Sequence, residues 1–124
     1  HMDFEMVTIR DDVTLEVVLR YLRRFDELPE QTDQVFVIDR LDLFKGSLPL
    51  GRLLINEPET LVSEVINREV LTLSALDDMY EAAQAFERYD LVSAPVLDPS
   101  GKLIGRITVD EVLDVFEIKP SLKF

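Results

Sequence analysis

The residues best placed to do chemistry in this chain are carboxylates. Asp110, Glu111, Asp114 and Glu117 crowd into Gly105-Arg106-Ile107-Thr108-Val109-Asp110-Glu111-Val112-Leu113-Asp114-Val115-Phe116-Glu117, which reads as the end of a strand running into a helix. On a helical wheel of about 100° per residue, with Asp110 at zero, Asp114 falls near 40°, Glu117 near −20° and Glu111 near 100°. Val109, Leu113 and Phe116 gather at roughly 240–300°, so one face is expected in a core and the other carries the acids. Asp110 and Asp114 repel at i,i+4 by about 0.2–0.5 kcal/mol unless a cation offsets them. Glu117 sits at the helix end that disfavours anions. Two outcomes fit: a solvated acidic face, or a ridge that a cation quietens. Acid–base catalysis by Asp110 and Asp114 does not fit, because no nucleophile, oxyanion donor or apolar pocket accompanies them, and the chain reads as no enzyme.

Composition narrows the partners. The chain has 124 residues, 47% hydrophobic and 31% charged, enough for a substantial core. Thirteen basic against 25 acidic residues give a net charge of −12, which repels nucleic acid and anionic lipid and attracts cations or basic surfaces. Cysteine is absent and the one histidine is His1, which removes thiolate zinc sites, Cys nucleophiles and a Ser-His-Asp triad. His1-Met2 reads as an expression-tag remnant. No apolar run approaches the roughly 18–20 residues of a membrane span, so the segment is expected to be soluble and not to insert directly.

The elements that must position the acids recur twice. Met6 to Ile9 is β-prone, and Thr14 is the expected cap of a helix with the stripe Leu15, Val18, Leu19, Leu22 and Phe25. Arg20, Arg23 and Arg24 lie off that stripe as a solvated flank or an anion grip. Glu27 to Gln34 is a polar loop, Val35 to Ile38 a strand covered on both faces, Leu43 to Leu48 a second strand and Leu50 to Ile55 a short helix started by Pro49. Leu61 to Ile66 forms a helical turn. Then Val70 to Leu73 reads as a strand, with Asp77 and Asp78 as caps of a helix reaching Tyr89. Ala94 to Leu97 and Lys102 to Thr108 are strands joined by the turn Asp98-Pro99-Ser100-Gly101, and Val109 to about Ile118 is the closing helix. Phe25, Phe86, Tyr89 and Phe116 suit core or dimer packing.

Subtraction exposes the duplication. Val7-Thr8-Ile9 matches Leu71-Thr72-Leu73 at offset 64, while Val37-Ile38-Asp39 matches Val96-Leu97-Asp98 at offset 59, as Gly46 does Gly105. The difference is the longer Glu27–Gln34 loop. Two β-α-β-β-α units result, an α/β (α+β) fold in which each unit buries its apolar face against its twin.

Such a unit, with Pro95-Val96-Leu97-Asp98 followed by Gly105-x-hydrophobic-Thr108 and a helix, resembles the CBS domain, and the tandem resembles a CBS pair, or Bateman module. Tyr89-Asp90-Leu91 together with Thr108-Val109-Asp110-Glu111-Val112-Leu113-Asp114-Val115 resembles the second CBS repeat of the MgtE family of magnesium transporters. The resemblance divides the chain into residues 3–66 (repeat 1, with a degenerate motif), 67–118 (repeat 2) and a tail, 119–124, leading towards a membrane domain. It implies a regulatory segment on the cytoplasmic face of a membrane protein, with an acidic N-terminal domain before it. It also implies a homodimer that binds Mg2+ between acidic surfaces and closes, with Asp110, Glu111, Asp114 and Glu117 as the cation-facing carboxylates. Mg2+ suits a loose acidic seam, since it takes oxygen ligands and keeps several waters.

CBS pairs also bind ATP or AMP, through the signature Gly-hydrophobic-hydrophobic-Ser/Thr-x-x-Asp. Gly105 and Thr108 match it, whereas Arg106 replaces a hydrophobic residue and Glu111 the Asp. The resemblance thus marks Thr108 and Glu111 as ribose contacts. In repeat 1, Pro49 stands at the Thr position and Arg52 at the Asp position, so at most one cleft site is expected. A dimerisation scaffold without ligand is the remaining reading.

Overall fold

A computed structural model describes residues 5–113. Repeat 1 comprises β1 (Thr8–Arg10), α1 (Leu15–Leu22), β2 (Gln34–Ile38), β3 (Phe44–Pro49) and α2 (Leu50–Ile55). After α3 (Val62–Val65), the order returns with β4 (Leu73–Ser74), α4 (Met79–Tyr89), β5 (Ser93–Leu97) and β6 (Leu103–Thr108). Helix resumes at 109 and is described to 113. Mixed helices and two small sheets make the α/β (α+β) class, and each sheet repeats one plan. β1 runs parallel to β2 and β2 antiparallel to β3, just as β4, β5 and β6 pair. Even the irregularities match: the register slips at Val37/Ile38 and again at Val96/Leu97, 59 residues on.

Local chemistry starts the helices where the side chains offer it. Thr14 accepts a hydrogen bond from the Val17 N–H at 3.4 Å, and Asp78 caps α4 by accepting from the Tyr80 N–H at 2.9 Å. The α1 stripe buries Leu15 and Val18 against Val35, Val37 and Leu48, with Leu19, Leu22 and Phe25 packed at its margin. In repeat 2, Ala82, Ala83 and Phe86 of α4 meet Ala94, Val96 and Ile107. Val35, Phe36 and Val37 are all buried, as expected of a strand covered on both faces.

Two expectations are corrected. The strand expected over Val70 to Leu73 is only Leu73–Ser74, because residues 67–72 cross between repeats and Asn67 pairs with Ser47 of β3 instead. Leu113, expected in the core, is 48% exposed, and Val112 at 1% takes that place. Val109 still packs against that core, so the buried face of the closing helix is set by Val109 and Val112 rather than by Val109 and Leu113.

The two β-hairpin turns join the repeats. The Phe44 N–H donates to the Gly101 carbonyl at 3.0 Å and the Leu103 N–H to the Asp42 carbonyl at 3.1 Å. Asp42 (φ 66°) and Gly101 (φ 90°) hold the same left-handed place in each copy. Asp39 accepts from the Leu41 and Leu43 N–H groups, and Asp98 from the N–H groups of Ser100 and Lys102 and from the Ser100 hydroxyl. The Ser100 hydroxyl and the backbone donors hold the Asp98 carboxyl below its ordinary value. For Asp39, partial desolvation acts upward, but the Leu41 and Leu43 donors and nearby Lys45 and Arg10 outweigh it and leave it lowered too. A lowered native pKa contributes stability above the unfolded value near 3.8 that is lost as pH falls through the native value. Melts taken from pH 7 downward should therefore show the deficit of Asp98→Asn relative to wild type shrinking once pH falls below about 3.8, as the wild-type carboxylate takes up its proton. An undiminished deficit at low pH would contradict this.

Candidate functional site

A cleft of about 760 Å³ opens between the repeats, within the range of small-molecule sites. Repeat 1 supplies Glu5, Met6 and the segment from Phe25 through Gln31, whereas repeat 2 supplies Arg106, Thr108 and Asp110. The strand-to-helix junction places the second set: Arg106 and Thr108 alternate along β6 to one face, and Asp110 follows in the first helical turn.

Thr108 is buried, and its N–H and hydroxyl both donate to Glu111 Oε1, at 3.1 and 3.0 Å. This is the glutamate half of a capping box, with Glu111 reaching back to the residue before the helix. Thr108 thus ends the strand, and its hydroxyl donates to Glu111. Asp110 is exposed and turns the other way: its Oδ2 accepts from Gln31 Nε2 at 3.1 Å. The two described carboxylates of the acidic run therefore serve different neighbours. Among the described residues no group of three or more Asp, Glu, His or Cys side chains is placed to hold a metal ion. Asp114 and Glu117 lie outside the described residues.

Arg106, which departs from the apolar signature, is 3% exposed. Its guanidinium donates to the Glu30 carbonyl at 2.7 Å and the Gln31 carbonyl at 3.1 Å. Burying a charge is costly unless donors and acceptors match, and here two carbonyls receive it. The loop's role at the cleft escaped the sequence reading, which saw only a polar connector. The available signal was a charged residue at a buried strand position, which requires a partner.

The matching positions of repeat 1 are differently employed. Pro49 offers no side-chain cap to α2, Arg52 donates to the Val65 carbonyl at 3.0 Å, and the Asn67 backbone bonds both ways to Ser47. Arg20 is paired with Glu16 at 2.9 Å on the exposed side of α1, and Arg23 and Arg24 are also exposed, as a solvated flank requires. Tyr89, expected in packing, is 55% exposed beneath the Arg88 guanidinium, 5.5 Å from its ring centre. No helix of the described residues is long and apolar enough to cross a membrane.

A CBS-domain family model matches residues 62–118. The chain is 39% identical over 117 residues to the magnesium transporter MgtE of Thermus thermophilus, covering 94% of this chain and 26% of that protein. It is 32% identical over 109 residues to MgtE of Bacillus subtilis, covering 88% and 24%. The chain thus spans about a quarter of the curated relatives it matches. The cytosolic domain of the Mg2+ channel MgtE in complex with ATP superposes with a TM-score of 0.85 at 38% identity, over 92% of this chain and 46% of that one. The soluble part of a magnesium transporter superposes at 0.89 and 29% identity, over 95% and 46%. The duplicated unit traced by the residues therefore has the CBS-pair fold, with a CBS domain matched over residues 62–118, and the chain is closely homologous to the cytosolic CBS region of the MgtE magnesium transporters.

Proposed function

We propose that this chain is the Mg2+-sensing regulatory module of an MgtE-like transporter, on the cytoplasmic face of the membrane as part of a longer protein. The 39% identity to a magnesium transporter along 94% of the chain carries the reading. Asp110, exposed at the start of the closing helix, heads a run continued by Glu111, Asp114 and Glu117. Mg2+ would be held there by few carboxylates and several waters, between this face and one of another domain or protomer. Leu54 and Ile55 of α2, 75% and 83% exposed, offer apolar surface for a homodimer. Binding would favour the closed arrangement by its differential affinity for it, and so hold the pore shut.

The cleft supports a second reading, an adenine nucleotide as regulatory ligand. A related MgtE domain is described in complex with ATP, and here Thr108, with Glu111 bonded to it, stands beside a cleft of suitable volume. Amide shifts recorded during separate Mg2+, ATP and AMP titrations test both. Mg2+ shifts confined to 110–117 and weakened by Asp110→Asn are expected for the sensor; shifts around Ala94 and Thr108 with nucleotide alone are expected for the cleft ligand. Indifference to all three would overturn both readings and leave dimerisation.

A further inference from the structure

We infer that Arg106 is the positioning residue of the cleft: it fastens the 27–33 loop of repeat 1 to β6 and so builds the wall that a ligand would meet. Three bonds converge on two neighbouring loop residues. Arg106 donates to the carbonyls of Glu30 and Gln31, and the Gln31 side chain donates to Asp110. Gln31 is also held at φ 60°, a left-handed conformation unfavourable for a residue with a Cβ. Such a conformation persists only where its surroundings over-determine it. Here the fastening comes from residues 75 to 79 positions away. Within repeat 1 the loop is held by Leu28, which packs at the core's margin, by the Thr32 hydroxyl bonding back to the Pro29 carbonyl, and by the Asp33 carbonyl, which receives the Leu50 N–H.

The clasp has a second consequence through charge. Glu5, Glu27, Glu30 and Asp110 also line the cleft, so among the described lining residues Arg106 carries the one positive charge against four carboxylates. Loss of Arg106 would both loosen the wall and leave the cleft more repulsive to phosphate. A lysine would keep the charge but not the planar fork that reaches two carbonyls at once.

Hydrogen exchange and nucleotide titration on wild type, Arg106→Met and Arg106→Lys separate these parts. Each variant is first compared by circular dichroism and thermal melting. In Arg106→Met, amides of residues 30–33 should exchange about tenfold faster, with α1 and α4 unchanged, as loss of one or two net hydrogen bonds implies. Arg106→Lys should fall between, and it carries the test if the methionine variant does not fold. Unchanged exchange in the loop of folded variants overturns the clasp. The ligand half rests on the cleft reading: AMP and ATP should bind Arg106→Met more weakly than wild type, and Arg106→Lys should recover part of the loss. If neither nucleotide binds any form while the loop still loosens, the cleft reading falls and the clasp stands.

Discussion

Alanine at Gly46 should destabilise the chain by about 2–4 kcal/mol, through strained backbone and a steric clash together. Gly46 sits in β3 at φ 151°, where residues with a Cβ are rarely found, and an added Cβ would run into the Asn67 carbonyl oxygen. That carbonyl cannot retreat cheaply. It accepts the Ser47 N–H at 2.9 Å, and the Asn67 N–H donates back to Ser47 at 2.8 Å. This bridge brings the inter-repeat crossing against the edge of the first sheet. Gly51 supplies the contrast, since a Cβ there meets nothing within 4 Å. It lies inside α2, so Gly51→Ala should stabilise by roughly 0.5–1 kcal/mol. Urea unfolding of both variants reads the difference. Equal effects, or a neutral Gly46→Ala, would contradict the close approach.

Truncating Phe36 should cost about 3–5 kcal/mol, the range for a buried aromatic replaced by alanine. The side chain is 2% exposed, yet it belongs to the opposite face of β2 from Val35 and Val37, which meet α1. Its ring stands edge-on to Phe44 at 6.1 Å, 72° between planes, an arrangement favoured by the ring quadrupoles. Phe36→Leu keeps much of the apolar volume and should lose markedly less. Denaturant midpoints with an unchanged slope would locate the loss in the native state. A small effect of Phe36→Ala would show that the second face of β2 is not closely packed.

Much of the architecture was legible because its causes are local. Thr14 and Asp78 cap the helices they precede, α2 spans the six residues expected, and the Asp98 turn forms through bonds spanning two to four residues. The duplication was legible because each copy reuses one apolar pattern, and the shared register slips follow it. The phase of the closing helix was not. Val109, Val112 and Leu113 are all apolar, so the wheel alone could not choose which of the last two faces the sheet, and packing selected Val112.

The candidate site divides along the same line. Residue order marked Asp110 and Glu111 as part of an acidic run and exposed the repeats, and the family resemblance added Thr108. The bond from Thr108 to Glu111 spans three residues and is local, whereas only the tertiary structure sent Asp110 across to Gln31 and the Arg106 guanidinium onto a loop 75 residues earlier. A side chain's partner is legible in sequence when the bond spans one helical turn. When the partner is a backbone carbonyl of a distant loop, every residue type presents the same acceptor, and no pattern of letters distinguishes it.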